Sequence, residues 1–231
     1  MSKIIVALPA YNAGRTLEKV FTAVPKTLDV LLVDDGSKDG TADLSHRLGI
    51  KTIVHSQNRG YGANQKTLYK NALKLGADFV IMLHPDGQYD PKDLTKFVKA
   101  LQRKQGDLIL GSRFLSRADM TPFYKAISIK ILTFLFNLFL QTRLSDVNSG
   151  YRGFTRKLLE TVPFQNYGHG YIFDPQMIVA AKLYGFKISE VPVTKVYNPE
   201  RISPNFPKSL KHGLENLAVL IAYLFQRLKK W

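Results

Sequence analysis

The stretch Phe79-Val80-Ile81-Met82-Leu83-His84-Pro85-Asp86-Gly87-Gln88-Tyr89-Asp90 decides the fold. Its first five residues are an uninterrupted apolar run, closed by Pro85 and Gly87. Such a run between turn residues predicts a strand buried on both faces, as in a parallel sheet. In open α/β sheets, ligands bind just beyond the carboxyl ends of such strands. Asp86 and Gln88 stand two residues apart, so an extended segment aims both side chains the same way. A carboxylate and an amide oxygen are ligand types that Mg²⁺ or Mn²⁺ takes beside a diphosphate. Taken alone, the same residues also fit a surface turn entering the helix after Pro91.

Working outward, the same grammar repeats. Residues 4–8 (Ile-Ile-Val-Ala-Leu) read as a first strand, stopped by Pro9. Residues 28–33 form a second strand, with Asp34-Asp35-Gly36-Ser37 at its carboxyl end. Residues 51–55 and 107–110 supply two more. Helical patterns fill the gaps at 16–24, 41–48, 58–75 and 91–104. Strands alternating with helices at this spacing predict an α/β fold, a doubly wound and mostly parallel sheet with helices on both faces. No Gly-x-Gly-x-x-Gly follows the first strand, which argues against a dinucleotide-binding Rossmann domain. Asn58-Arg59-Gly60-Tyr61-Gly62 opens the third helix, whose N–H groups either face a phosphate or merely turn the chain.

The composition narrows the partners. Thirty-three Lys and Arg against 18 Asp and Glu leave a net charge of +15 over 231 residues. Such a surface attracts nucleotides, nucleic acid or acidic lipid headgroups. No aromatic–basic recognition motif supports nucleic acid, so none is expected as a partner. The absence of cysteine excludes disulfides and cysteine–zinc sites, and it fits a cytoplasmic chain. No segment reads as a signal peptide or as an uncharged span of the roughly 20 residues that cross a bilayer.

After Arg117 the character changes. In residues 122–141, Lys130, Thr133, Asn137 and Gln141 make one narrow polar stripe against a broad apolar face. Near the C-terminus, Leu210, Leu214, Leu217, Ile221, Leu224 and Leu228 recur at heptad-like spacing between basic ends. Two such amphipathic helices either lie in a membrane interface or pack on the sheet or a second subunit. The expected organisation is a main domain over 1–205 and a C-terminal amphipathic helix over 206–231. The oligomeric state stays open.

Several motifs then occur in a telling order. They are Leu8-Pro9-Ala10-Tyr11-Asn12, Val33-Asp34-Asp35-Gly36-Ser37, Asn58-Arg59-Gly60, Asp86-Gly87-Gln88, Gly111-Ser112-Arg113-Phe114, Asp146 to Arg152, and Glu190-Val191-Pro192-Val193. This ordered set resembles the family 2 glycosyltransferases of the GT-A fold. Within them it is most similar to the polyprenyl-phosphate (dolichyl-phosphate-type) sugar synthases. The resemblance implies an inverting, metal-dependent transfer from a UDP- or GDP-linked sugar to a lipid phosphate; the interfacial reading of the two amphipathic helices would set this at the cytoplasmic face of a membrane, as a peripheral contact.

It also implies roles for residues. Pro9, Tyr11, Asn12, Val33 and Asp35 would hold the donor's base and ribose, with His84 and Pro85 beside them. Asp86 and Gln88 would hold Mg²⁺ or Mn²⁺. The family pattern has Asp-x-Asp where this chain has His84-Pro85-Asp86, which leaves open whether His84 ligates the metal or hydrogen-bonds ribose or backbone. Asp146 would serve the acceptor, as a general base for an alcohol or as an orienting group for a phosphate. Arg113 and Arg152 would grip an acceptor phosphate, because guanidinium pairs bidentately with it. Arg201 and Ser203 match a loop that closes on the donor diphosphate. Asp174 and Gln176 would shape the acceptor side, Asp174 also reading as a helix cap. Asp34 reads as a turn residue. The competing readings are transfer to a glycan or other hydroxyl acceptor, and a nucleotide-binding pseudoenzyme or adaptor.

Overall fold

A computed structural model describes residues 2–116, 121–196 and 206–228, with side chains over 213–225 in the last helix. In chain order the elements are β1 (Ile4–Ala10), α1 (Leu17–Thr22), β2 (Asp29–Asp34), α2 (Thr41–Arg47), β3 (Lys51–Val54), α3 (Tyr61–Lys74), β4 (Phe79–Met82) and α4 (Leu94–Gln102). Then follow β5 (Leu108–Ser112), α5 (Phe123–Leu140), β6 (Arg152–Thr155), α6 (Arg156–Thr161), α7 (Phe173–Leu183), β7 (Ile188–Pro192) and α8 (Phe206–Leu228).

The strands form one sheet in the order β3-β2-β1-β4-β6-β5-β7. β3, β2, β1 and β4 run parallel, and β5 and β7 pair in parallel. β6 is the exception, inserted antiparallel between β4 and β5. The sheet is therefore mostly parallel, as expected, but mixed at its centre. Leu8 alternates with Ala7 along β1, and the two residues enter different cores because successive side chains point to opposite faces. One core joins Ile5, Ala7, Leu31 and Val33 to α3, α5, α7 and α8; the other joins Ile4, Val6, Leu8 and Leu32 to α1 and α4. The chain leaves β1 for β2 and β3 on one side and returns to β4 on the other. The β1–β4 boundary is thus the switch point at which open α/β sheets bind ligands.

The two late helices carry apolar residues on both their buried and their outward faces. On α5, Ile129, Thr133, Phe136 and Leu140 are buried, whereas Phe123, Ile127, Ile131, Phe134 and Leu138 are exposed on the opposite face. The polar stripe borders the buried side: Thr133 accepts from Val147 N–H, and Asn137 holds both the N–H and the carbonyl of Leu144. α5 is long and apolar enough to cross a membrane by length and composition, though it carries Lys125 and Lys130 and anchors Phe136 and Leu140 in the core.

On α8, Asn216, Val219, Leu220 and Tyr223 face inward. The heptad-like residues Leu214, Leu217 and Ile221, with Phe225, are exposed. The repeat is therefore split: these three lie on the outer face, Leu224 packs against the core, and the side chains of Leu210 and Leu228 lie outside the described residues, while the inward face packs on α7 and α5.

Candidate active site

A cleft of about 670 Å³ opens beyond the carboxyl ends of β1, β2 and β4, within the range of small-ligand sites. β1 delivers Pro9 to Ala13, β2 delivers Asp35, and the loop after β4 delivers His84, Pro85, Asp86, Gln88 and Tyr89. Asn58, Gly60, Tyr61 and Asn64 come from the start of α3, and Asn148, Gly150, Gly170, Tyr171, Asp174 and Lys195 complete the wall. Of the residues expected to bind donor or metal, Pro9, Tyr11, Asn12, Asp35, His84, Pro85, Asp86 and Gln88 meet here. Tyr11 is half exposed, so its ring offers a flat apolar face to a base.

Asp35 is only 3% exposed. Its Oδ1 accepts from the Arg59 N–H at 3.0 Å and lies 2.6 Å from His55 Nδ1, and its Oδ2 accepts from the Gly60 N–H at 2.9 Å. It therefore fixes the entry to α3 as well as facing the cleft. Asp34 is the turn residue expected, accepting from the Ser37 N–H and hydroxyl. Val33 is not among the residues that line the cleft: its side chain lies in the core, and its carbonyl accepts from Asn64 Nδ2 at 2.9 Å. Asn64 was not anticipated; it ties the ends of β1 and β2 together by donating also to the Ala10 carbonyl.

At the α3 N-terminus, two of the helix's N–H groups are already taken within the protein. The His169 carbonyl takes the N–H groups of Gly62 and Ala63 at 2.6 and 3.3 Å. A β-carbon on Gly62 would come within 2.6 Å of the Gly168 carbonyl, so the 168–170 loop covers the helix end because Gly62 has no side chain. Gln176 belongs to this closure, accepting from the Gly168 N–H at 2.8 Å, and is not among the residues that line the cleft.

His84 sits in a network. Its ring stacks on Tyr61, with centroids 5.5 Å apart and planes within 4°. The Tyr61 hydroxyl donates its one proton to Asp174 Oδ2 at 2.9 Å, so His84 Nε2, 3.2 Å from the Tyr61 hydroxyl oxygen, meets that oxygen as an N–H donor. A protonated ring nitrogen is not a metal ligand, so Nε2 serves the network. Burial pushes the His84 pKa down, and the nearby charges of Asp86 and Asp174 oppose that shift. Burial also raises the Tyr61 pKa well above its ordinary value, which keeps the phenol a donor. Asp174 accepts as well from Gln65 Nε2 and lies 3.4 Å from Arg152 Nη2, so it joins elements and is more than the helix cap the sequence suggests.

The acceptor-side arginines turn inward. Arg113 donates from Nε and Nη2 to both oxygens of Asp146, at 2.6 and 2.7 Å, and the two side chains are 4% and 0% exposed. Arg152, at 1% exposure, donates to the carbonyls of Ser149, Asp174 and Val147. Neither arginine nor Asp146 is among the residues that line the cleft. Desolvation explains the departure from expectation: guanidinium groups this deep need carboxylate and carbonyl partners from the protein itself. Arg201 and Ser203 lie outside the described residues.

Among the described residues, no three His, Cys, Asp or Glu side chains cluster as a metal cage. Asp86 and Gln88 nonetheless fit Mg²⁺ or Mn²⁺, which take one or two protein carboxylates and complete their shell with substrate phosphates and water.

A family model described as "Glycosyl transferase family 2" matches residues 5–162. The chain belongs to this family. It is an enzyme that transfers sugars from nucleotide-activated donors. Curated relatives include a UDP-N-acetylglucosamine–dolichyl-phosphate N-acetylglucosaminyltransferase of Methanococcus voltae, 26% identical over 84% of this chain and 86% of the relative. A polyprenol monophosphomannose synthase of Mycolicibacterium smegmatis is 27% identical over 83% of this chain and 77% of the relative. Among solved structures, glucosyl-3-phosphoglycerate synthase from Mycobacterium tuberculosis, in complex with Mn²⁺, UDP and phosphoglyceric acid, superposes with a TM-score of 0.73 at 17% identity. That match covers 96% of this chain and 78% of the other, and it places this family 2 chain in the GT-A fold.

Proposed function

We propose that this family 2 enzyme transfers a sugar, with inversion, from a UDP- or GDP-linked donor to a polyprenyl phosphate at the cytoplasmic face of a membrane. The observation that carries the acceptor is the enclosure of Asp146. Both its oxygens are held by Arg113, so it is poorly placed to remove a proton from an alcohol. A phosphate monoester needs no such base, because its second pKa of about 6 leaves it largely ionised at neutral pH. Its oxygen forms the new bond to the anomeric carbon as the bond to the donor diphosphate breaks. The electron pair leaves with the nucleoside diphosphate.

Two curated relatives are named for different sugars but for polyprenyl- or dolichyl-type phosphate acceptors, which supports the same acceptor class here. The exposed apolar faces of α5 and α8, on a chain of charge +15, suit an anionic leaflet. Asp86 and Gln88 would hold Mg²⁺ or Mn²⁺ against the diphosphate, and the ion would neutralise charge on the leaving group.

The test is incubation with a panel of nucleotide sugars and either a short polyprenyl phosphate or the matching polyprenol, with products read by mass spectrometry. Product is expected from the phosphate alone, and it should disappear with excess EDTA or in Asp86→Ala. Transfer to free hydroxyl compounds with none to the lipid phosphate would overturn the acceptor and make Asp146 the candidate base. Full activity in EDTA would overturn the metal.

A further inference from the structure

We propose that Lys195 supplies a fixed cation to the donor diphosphate, beside the divalent ion assigned to Asp86; the inference rests on the donor reading above. Three carboxylates, Asp35, Asp86 and Asp174, line the cleft, and a diphosphate entering it brings further negative charge. Arg113 and Arg152, the arginines that the sequence offers for an acceptor phosphate, are buried in ion pairs with Asp146 and Asp174 and do not themselves line the cleft, and Arg201, which it offers for the donor diphosphate, lies outside the described residues. Lys195 is the only lysine or arginine among the described residues that line the cleft.

Its position is built into the fold. Lys195 forms an isolated antiparallel bridge with Tyr89, directly after the Asp86-Gly87-Gln88 turn. Val196 N–H donates to the Gln88 carbonyl at 2.8 Å, and Asp90 N–H to the Thr194 carbonyl at 3.3 Å. Thr194 N–H in turn donates to Asp93 Oδ2 at 2.7 Å. The backbone of 194–196 is thus laced to the loop that carries the candidate metal ligands. The Lys195 ammonium lies 4.9 Å from the centre of the Tyr89 ring, and Tyr89 is itself held by contacts to Ser149 Oγ and the Gly150 N–H. An ammonium held over the Tyr89 ring, on a backbone laced to the loop that carries Asp86, arrives with little ordering left to do. Phosphate on the donor and phosphate on the acceptor share the chemistry that would draw it. The lacing to the Asp86 loop favours the donor.

The experiment uses the full chain, with calorimetry of UDP and GDP in Mg²⁺ and in EDTA, and melting of the protein alone. Lys195→Met keeps the aliphatic stem and removes the charge. It should weaken the diphosphate that wild type binds by about tenfold, the loss of one charge-assisted hydrogen bond at a half-buried site, while the melting temperature stays put. Lys195→Arg should recover most of that affinity. Unchanged diphosphate affinity in Lys195→Met overturns the inference, as does an arginine variant no better than methionine. A loss confined to binding of a short isoprenyl phosphate also overturns it and moves Lys195 to the acceptor side. Wild type that binds neither diphosphate removes the donor reading and this inference together.

Discussion

Gly150 lies against the imidazole of His84 so closely that a β-carbon at 150 would stand 2.7 Å from Nε2 and 3.0 Å from Cδ2. The backbone of Gly150 is not left-handed, so space, and not conformation, calls for glycine there. The imidazole that replaces a carboxylate of the family pattern is therefore matched by an absent side chain in a different motif. Gly150→Ala should destabilise the protein by about 1–3 kcal/mol, the usual cost of overpacking, and should lower turnover. His84→Ala removes the obstacle, so the double variant should be no less stable than His84→Ala alone. Urea unfolding of the four proteins measures this coupling. Simple additivity would show that the contact carries no energy.

Arg113 and Asp146 yield a prediction opposite to the one their motif suggests. A phosphate-gripping arginine, once removed, should raise the KM for acceptor and leave stability alone. An arginine sealed on a buried carboxylate should do the reverse. Arg113→Ala is expected to cost about 3–5 kcal/mol, because Asp146 stays buried without its main partner. Arg113→Lys keeps the charge but loses the fork, so an intermediate loss is expected. Denaturant midpoints decide the matter. A normally stable Arg113→Ala with a raised acceptor KM would restore the gripping role.

These two cases mark how far the sequence could be read. β1, β2, β4 and β5 were legible because strands buried on both faces are apolar runs, and turn residues bound them. β6 was not, since Arg152-Gly153-Phe154-Thr155 has no apolar run; the strand is held by its neighbours and by the partners of a buried arginine. Site positions from Pro9 to Gln88 were legible because they follow strand ends. Orientation was not: a sequence gives the charge of Arg113 but not the direction it points. Lys195 had a usable signal, since it follows β7 at the carboxyl end of the sheet, where ligand sites gather. The polar stripe of α5 was legible but its use was not, because Thr133 and Asn137 hold a neighbouring loop instead of facing water.

Glu190 gives a pH dependence. From β7 its carboxylate accepts from the N–H groups of Ser145 and Asp146 and from the Ser145 hydroxyl. Burial raises its pKa above the ordinary 4.5, the Asp146 charge adds to the rise, and these hydrogen bonds oppose it. With the folded value above the unfolded one, the native state holds the proton longer. The stability from Glu190 is therefore fullest below the unfolded pKa and declines as pH rises through the folded value. Glu190→Gln cannot titrate. The stability of wild type minus that of Glu190→Gln should fall as pH rises above 4.5, measured by urea unfolding. A difference that grew with pH would reverse the sign and sink the assignment.

The outward faces of α5 and α8 support the last prediction. The helices pack on one another, and each turns apolar residues to solvent opposite its buried face: Ile127, Ile131 and Phe134 on one, Leu217, Ile221 and Phe225 on the other. Full burial of such a side chain contributes roughly 1.5–3 kcal/mol. Losing two, even to partial immersion, should weaken membrane binding by at least about tenfold. Ile131→Glu with Phe134→Glu also adds repulsion from anionic headgroups. The double variant should fail to float with anionic liposomes that carry wild type, and high salt should release wild type because basic residues share the attachment. Transfer to a short, soluble isoprenyl phosphate should persist in the variant, since neither residue lines the cleft. A second copy of the chain is the competing cover for this surface. Wild type that stays at the bottom of the gradient, and sediments as a dimer that the double variant breaks, would assign the stripe to that copy and detach the enzyme from the bilayer.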